Sequence, residues 1–219
     1  MKKFLMILSI GFVLMFAAAC EEDAEPVAIV NDEEILEKEY ELMVDQMKQP
    51  YKQQGMDFEG EQGEMMLEQI ESMALETLIQ QEVIIQQAEA DGHSVSDEEI
   101  DEKFEEAKAG FQTEEDFEEA LEENNYTEET FRSFLADELL IEAYLDAEID
   151  EVEISDEDIE EAYEEYKKNM EEHEDDPEPL EEIEDKLEEQ IIQQKEQELI
   201  NEHVEGIKED SDIERLIND

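Results

Sequence analysis

A mainly helical fold is predicted by three features of the chain. From Glu37 onward the apolar residues recur at helical intervals, and Ser or Thr stands repeatedly just ahead of those runs, where an N-cap belongs. The one clear β-type stretch is short and lies near the N-terminus.

That stretch is Val27-Ala28-Ile29-Val30, followed by Asn31-Asp32 with turn chemistry and then Ile35-Leu36, so a small β-hairpin is expected. Tyr40, Met43, Val44 and Met47 next share one helical face, which Pro50 is expected to end. Residues 49–64, holding Pro50, Gly55, Gly60 and Gly63, are expected to form a loop. The strongest helix is predicted over residues 65–90. Met66, Ile70, Met73, Ala74, Leu78, Val83, Ile84, Ile85 and Ala88 form a stripe broad enough to be covered on more than one side, and Asp91-Gly92 ends it.

Start signals then repeat. Ser96 with Glu99 precedes Ile100, Phe104 and Ala107; Thr113 with Asp116 precedes Phe117 and Leu121. Thr127 opens the segment of Phe131, Phe134, Leu135, Leu139, Ile141, Tyr144 and Leu145, and Ser155 with Asp158 precedes Ile159, Tyr163 and Tyr166. Residues 171–179 (EEHEDDPEP) read as a charged linker. A last long helix is predicted from about Leu180, with Ile183, Leu187 and Ile191 on one face and Leu199, Ile200, Val204 and Ile207 continuing it. Its stripe weakens across residues 193–198, which are expected to be solvated, and residues 213–217 suit a short terminal strand.

Composition sets the outer limits. Of 219 residues, 73 are Asp or Glu and 14 are Lys or Arg, for a formal charge of −59. Such a chain repels nucleic-acid phosphate and anionic headgroups, so nucleic acid is excluded as a partner. The single Cys rules out a disulfide framework and multi-cysteine metal sites. High charge with low hydropathy also marks disordered chains, but a disordered acidic tract has no reason to repeat capping signals ahead of apolar stripes. The chain is therefore expected to fold, with an acidic surface of the kind that works in salt.

The first residues read as an export signal. Met1-Lys2-Lys3 is basic, residues 4–16 are almost wholly apolar and too short to span a bilayer comfortably, and Ala17-Ala18-Ala19-Cys20 follows. Three small residues before the chain's one Cys resemble a bacterial lipobox, with Ala17 where Leu is usual. Lipidation of Cys20 and anchoring to the outer side of the cell membrane are expected; a plain secretory cut at the same bond is the alternative. The organisation is then a signal peptide over 1–19, a tether over 20–26, a helical region over 27–170, a linker over 171–179, and 180–219 completing the same domain.

Chemical motifs mostly fail. His93, His173 and His203 lie far apart, no H-E-x-x-H motif or calcium-binding loop occurs, and no glycine loop suits phosphate. No cofactor and no metal is expected. Six of the seven methionines beyond the leader fall between Met43 and Met73. Methionine is flexible and polarisable, and suits surfaces that accept many partners. Met43, Met47, Tyr51, Met56, Phe58, Met65 and Met66 are the candidate partner-contact residues. For Met43, Met66 and Met73 the plainer reading is a methionine-rich helix core.

Several blocks resemble the SurA/PrsA-type extracytoplasmic chaperone family. Val27-Ala28-Ile29-Val30-Asn31-Asp32-Glu33-Glu34-Ile35 with Glu39-Tyr40 is similar to its opening, with Asp32 where Gly is usual. The stretch from Leu75 to Gly92, then Val95-Ser96-Asp97-Glu98-Glu99-Ile100, resembles its most specific block. Asn125-Tyr126-Thr127 through Phe131-Arg132 looks like a further helix start of the family, with Asn125 in place of Gly. Ser155-Asp156-Glu157-Asp158-Ile159 with Tyr163 is similar to the segment leading into its parvulin isomerase domain. That domain would need about 90 residues, an ordinary small-domain size, and residues 171–179 stand in its place. The resemblance thus implies a SurA/trigger-factor-like multi-helix chaperone core without the isomerase, its long C-terminal helix packing back on the N-terminal helices and residues 213–217 pairing with 27–30.

What the resemblance implies for function is an ATP-independent chaperone or holdase for unfolded or nascent secreted proteins, held to the membrane through lipid on Cys20. A prolyl isomerase and a structural lipoprotein with one dedicated partner are the alternatives. The sequence leaves oligomeric state open.

Overall fold

The computed structural model describes residues 25–150, 152–172 and 177–217, so the leader, Cys20, most of the tether and residues 173–176 of the linker lie outside the described residues. β1 (Pro26–Val30) and β2 (Glu33–Leu36) form the expected antiparallel hairpin, closed by Asn31-Asp32. Only Asn31 takes a positive φ there (57°), a conformation Asn tolerates, so Asp32 can replace the usual Gly without strain. β3 (Ile213–Arg215) adds to the other edge of β1, giving the order β2-β1-β3 with Val30 opposite Ile213.

Seven helices carry the rest: α1 (Glu37–Gln53), α2 (Gly60–Asp91), α3 (Asp97–Ala109), α4 (Glu114–Glu123), α5 (Glu128–Glu148), α6 (Asp156–Glu172) and α7 (Leu180–Asp210). The cap signals work as chemistry predicts. Glu99 N donates to Ser96 Oγ, Asp116 N to Thr113 Oγ1, Thr130 N to Thr127 Oγ1 and Asp158 N to Ser155 Oγ, at 3.1–3.3 Å. Gly92 caps α2 in the left-handed conformation (φ 89°).

Two boundaries differ from the sequence reading. α1 continues one turn past the start of its breaker, because Pro50 forfeits a single backbone bond while Tyr51, just beyond it, packs into the apolar cluster between α1 and α2. The expected loop shrinks to residues 54–59, and α2 begins at Gly60. Gly63 lies inside the helix as a close-approach point: a Cβ there would sit 2.4 Å from the backbone carbonyl carbon of Phe58.

α2 is the hub, packing on α1, α5, α7 and β1. The main core joins Val27, Ala28, Val30 and Ile35 of the hairpin to Leu75, Ile79, Val83, Ile84 and Ala88 of α2, Leu140 and Tyr144 of α5, and Val204 of α7. Tyr144 shares a 2.8 Å hydrogen bond with His203 Nε2, tying α5 to α7. Three projections leave this core. α1 and the first half of α2 enclose Val44, Ile70 and Ala74. α3, α4 and the start of α5 enclose Phe104, Phe117, Leu121 and Leu135. α6 and the first half of α7 bury Ile159, Ile183, Leu187 and Ile191, with Lys195 paired to Asp158 at 2.8 Å.

Three residues of the expected stripes face water, Met73, Phe134 and Leu199. Met73 is 51% exposed because the inner line of α2 runs through Ile70, Ala74 and Leu75, and Leu199 is 39% exposed at the end of the solvated middle of α7. Among the described residues none of the fully buried side chains is polar or charged, and acids such as Glu76 and Glu82 reach only a half-buried position.

Ile79, fully buried at the hub, should cost about 2–5 kcal/mol when cut to Ala, read as a lower urea midpoint at unchanged m-value. The charge predicts a second outcome: the melting midpoint followed by circular dichroism should rise between dilute buffer and about 1–2 M NaCl, where the screening length falls to a few ångströms. A midpoint indifferent to salt would contradict it.

Candidate functional site

The methionine-rich candidates gather on the α1–α2 projection. Met43, Met47, Tyr51, Phe58 and Met66 are half-buried around Val44, Ile70 and Ala74, with Leu67 and Tyr40. Tyr51 and Phe58 meet edge to face at 6.5 Å between centroids, and Lys48 lies over the Phe58 ring. Met56 (43% exposed) and Met65 (62% exposed) point outward, as does Met73 further along α2. The loop carrying Met56 is fixed by Met56 N donating to Tyr51 O at 3.0 Å and by the contact over Gly63. The result is a thin apolar layer of flexible side chains, neither a closed core nor a bare patch.

A second concavity lies between α2 and α5 and was not singled out from sequence. Thr77, Gln80, Gln81, Ile84 and Ile85 line one wall, and Phe134, Asp137, Glu138 and Ile141 the other, around about 340 Å³. These residues recur every three or four positions, so each helix presents one row. Phe134 also packs on Tyr126 at 5.8 Å, and the Tyr126 hydroxyl accepts from Gln46 Nε2 of α1 at 2.8 Å. The crevice and the α1–α2 projection are therefore joined through that bridge.

The crevice is electrostatically loaded. Asp137 is open to water by area, yet its concave surroundings and the charges of Glu82, Glu39 and Glu89 push its carboxyl up from 3.8 to about 6. Glu82 is raised as well, chiefly by burial, with Gln86 opposing through a hydrogen bond and Glu33, Glu39 and Glu89 adding repulsion. Glu76, by contrast, is matched. Burial raises Glu76, but hydrogen bonds from Lys208 and Arg215 outweigh it and hold its carboxyl below the usual range. No local sequence signal marks the crevice, since Gln80-Gln81-Glu82 is one of several polar interruptions along α2, as Gln86-Gln87 is.

Among the described residues no His, Cys, Asp and Glu group is arranged to hold a metal, and no helix is long and apolar enough to cross a membrane. Seven residues separate α6 from α7.

The family model for the SurA-like N-terminal domain matches residues 1–145. The foldase protein PrsA of Clostridium botulinum strain 657 is 31% identical over 182 residues, covering 74% of this chain and 53% of its own length. The foldase protein PrsA of Clostridium perfringens strain ATCC 13124 is 30% identical over 167 residues, covering 73% of this chain and 48% of its own. The chain thus spans about half the length of the curated relatives it matches.

Gly63→Ala should dislodge the Phe58 backbone and cost about 1–3 kcal/mol, with faster proteolysis in residues 54–59 as its local signature. For Asp137 the sign follows from proton linkage: a carboxyl with a raised pKa holds its proton more tightly when folded. Its stabilisation is complete below the unfolded value and is lost as pH rises through about 6. Asp137→Asn should therefore raise the melting midpoint at about pH 7.5 and leave it unchanged near pH 4; an equal shift at both would reject the assignment.

Proposed function

The chain belongs to the family of SurA-like N-terminal domains, and on that premise we propose that it is an ATP-independent holdase for unfolded or secreted polypeptides outside the cytoplasmic membrane, anchored by lipid on Cys20. The observation that carries the reading is the layer of half-buried Met43, Met47, Tyr51, Phe58 and Met66 edged by exposed Met56 and Met65. Flexible thioethers adapt to varied apolar side chains, and an adaptable surface binds weakly and releases quickly because it cannot be highly complementary to each client. The acidic exterior keeps a loaded complex soluble and away from anionic lipid. No phosphate-cradling loop occurs in the sequence, which suits action without nucleotide. The seven residues between α6 and α7 leave no room there for an isomerase domain, which supports a chaperone without prolyl isomerase activity.

The purified protein should suppress aggregation of a chemically denatured client in proportion to its concentration, and no suppression at any salt concentration would end the proposal. Met56→Ser, Met65→Ser and Met73→Ser combined should weaken suppression several-fold while moving stability by no more than about 0.5 kcal/mol each, since the sites are exposed. A proline-peptide assay should return the uncatalysed rate. Cys20→Ala should move the protein from the membrane fraction to the soluble one.

A further inference from the structure

We propose that the crevice between α2 and α5 docks client segments in which apolar side chains are interspersed with lysine or arginine. The proposal rests on the holdase reading and names the class of segment it takes. The apolar half of the recognition comes from Ile84, Ile85, Phe134 and Ile141. A space of about 340 Å³ lies at the low end of ligand sites, which run roughly 300–1,000 Å³. It admits a few side chains of an extended segment rather than a whole helix.

The charged half comes from Asp137 and Glu138 on the wall and Glu82 beside it. The charges acting on Asp137 are Glu82, Glu39 and Glu89, all negative and contributed by α1 and α2. Each of these acids raises the cost of ionising its neighbours, which isolated surface acids do not suffer. Solubility does not require that crowding, because the remainder of the surface already carries the acidic excess. A cation entering between apolar anchors relieves the repulsion at the moment of binding, whereas an acidic segment adds to it. Through Phe134, Tyr126 and Gln46 the crevice runs on to the methionine-bearing α1, so one client chain can place a basic-apolar stretch in the crevice and lay its less selective neighbours on the α1–α2 projection.

The test uses fluorescent peptides with one apolar framework whose polar positions carry lysine, glutamine or glutamate, titrated with the full protein by anisotropy at about 0.15 M salt. The lysine peptide should bind about tenfold more tightly than the glutamine peptide, the effect of a few partly exposed ion pairs acting together. Glu82→Gln with Asp137→Asn and Glu138→Gln should bring that ratio to within about twofold. Glu184→Gln with Asp185→Asn and Glu189→Gln, the same charge change on the α6–α7 projection, should leave it intact. An equal fall in both variants would assign the preference to the general field of the molecule and overturn the proposal. Photocrosslinking of the lysine peptide to the unaltered protein needs no substitution: adducts within residues 77–85 and 134–141 support the crevice, and adducts confined elsewhere reject it. Aggregation suppression, run in parallel, separates the two ideas. Suppression without a lysine preference removes the crevice proposal alone, and crevice binding without suppression removes the holdase reading and leaves a basic-peptide site.

Discussion

The pairing of β3 with β1 is the constraint on which the rest of the structure depends. It brings residues nearly two hundred positions apart into one three-stranded sheet and commits α7 to run back along α2. Asn31 is the node of this closure. Its backbone N–H donates to Asp212 O at 2.6 Å, its side-chain oxygen accepts from Asp212 N at 2.9 Å, and its amide reaches Gln86 Oε1 at 2.6 Å. One left-handed turn residue thus links the hairpin, α2 and the chain's last strand. The adjoining ion cluster of Glu76 with Lys208 and Arg215 places two of the chain's 14 Lys and Arg residues where they hold α2 against α7 and β3.

Around that closure the protein is built as projections rather than as one thick core. Each projection has a small apolar cluster of its own, and such clusters exclude water only partly. A thin layer leaves side chains such as Met56, Met65 and Phe134 partly exposed, which is unfavourable for folding alone and which the proposed holdase role would put to use. Long helices make this possible, since α2 and α7 at about 1.5 Å per residue reach well beyond the sheet that anchors them.

Charge is distributed with the same economy. At the helix starts, acids satisfy orphan N–H groups and complement the dipole, so much of the acidity is locally stabilising. Along the α2–α5 crevice it is not: Glu82 and Asp137 are crowded by other acids and retain protons above their ordinary range. Unrelieved repulsion beside an apolar wall is the electrostatic counterpart of the uncovered methionines.

The amino-acid order by itself determined the local elements. Capping pairs at Ser96, Thr113, Thr127 and Ser155, the Gly92 stop and the β-type run at 27–30 are short-range chemistry, legible because each signal and its partner lie within one helical turn or one strand. The family-like blocks also carried the return of residues 213–217 to β1. Only the tertiary structure decided where the breakers yield and which faces are covered. Pro50 and Gly63 read as punctuation but serve packing, through Tyr51 and the Phe58 backbone. Met73 and Leu199 fit helical stripes yet face water, since periodicity tells which residues share a face and not whether another element arrives to cover it. The crevice acids were illegible for the same reason: among 73 carboxylates, burial and proximity across α1, α2 and α5 distinguish Asp137 and Glu82, and both arise only when distant segments meet.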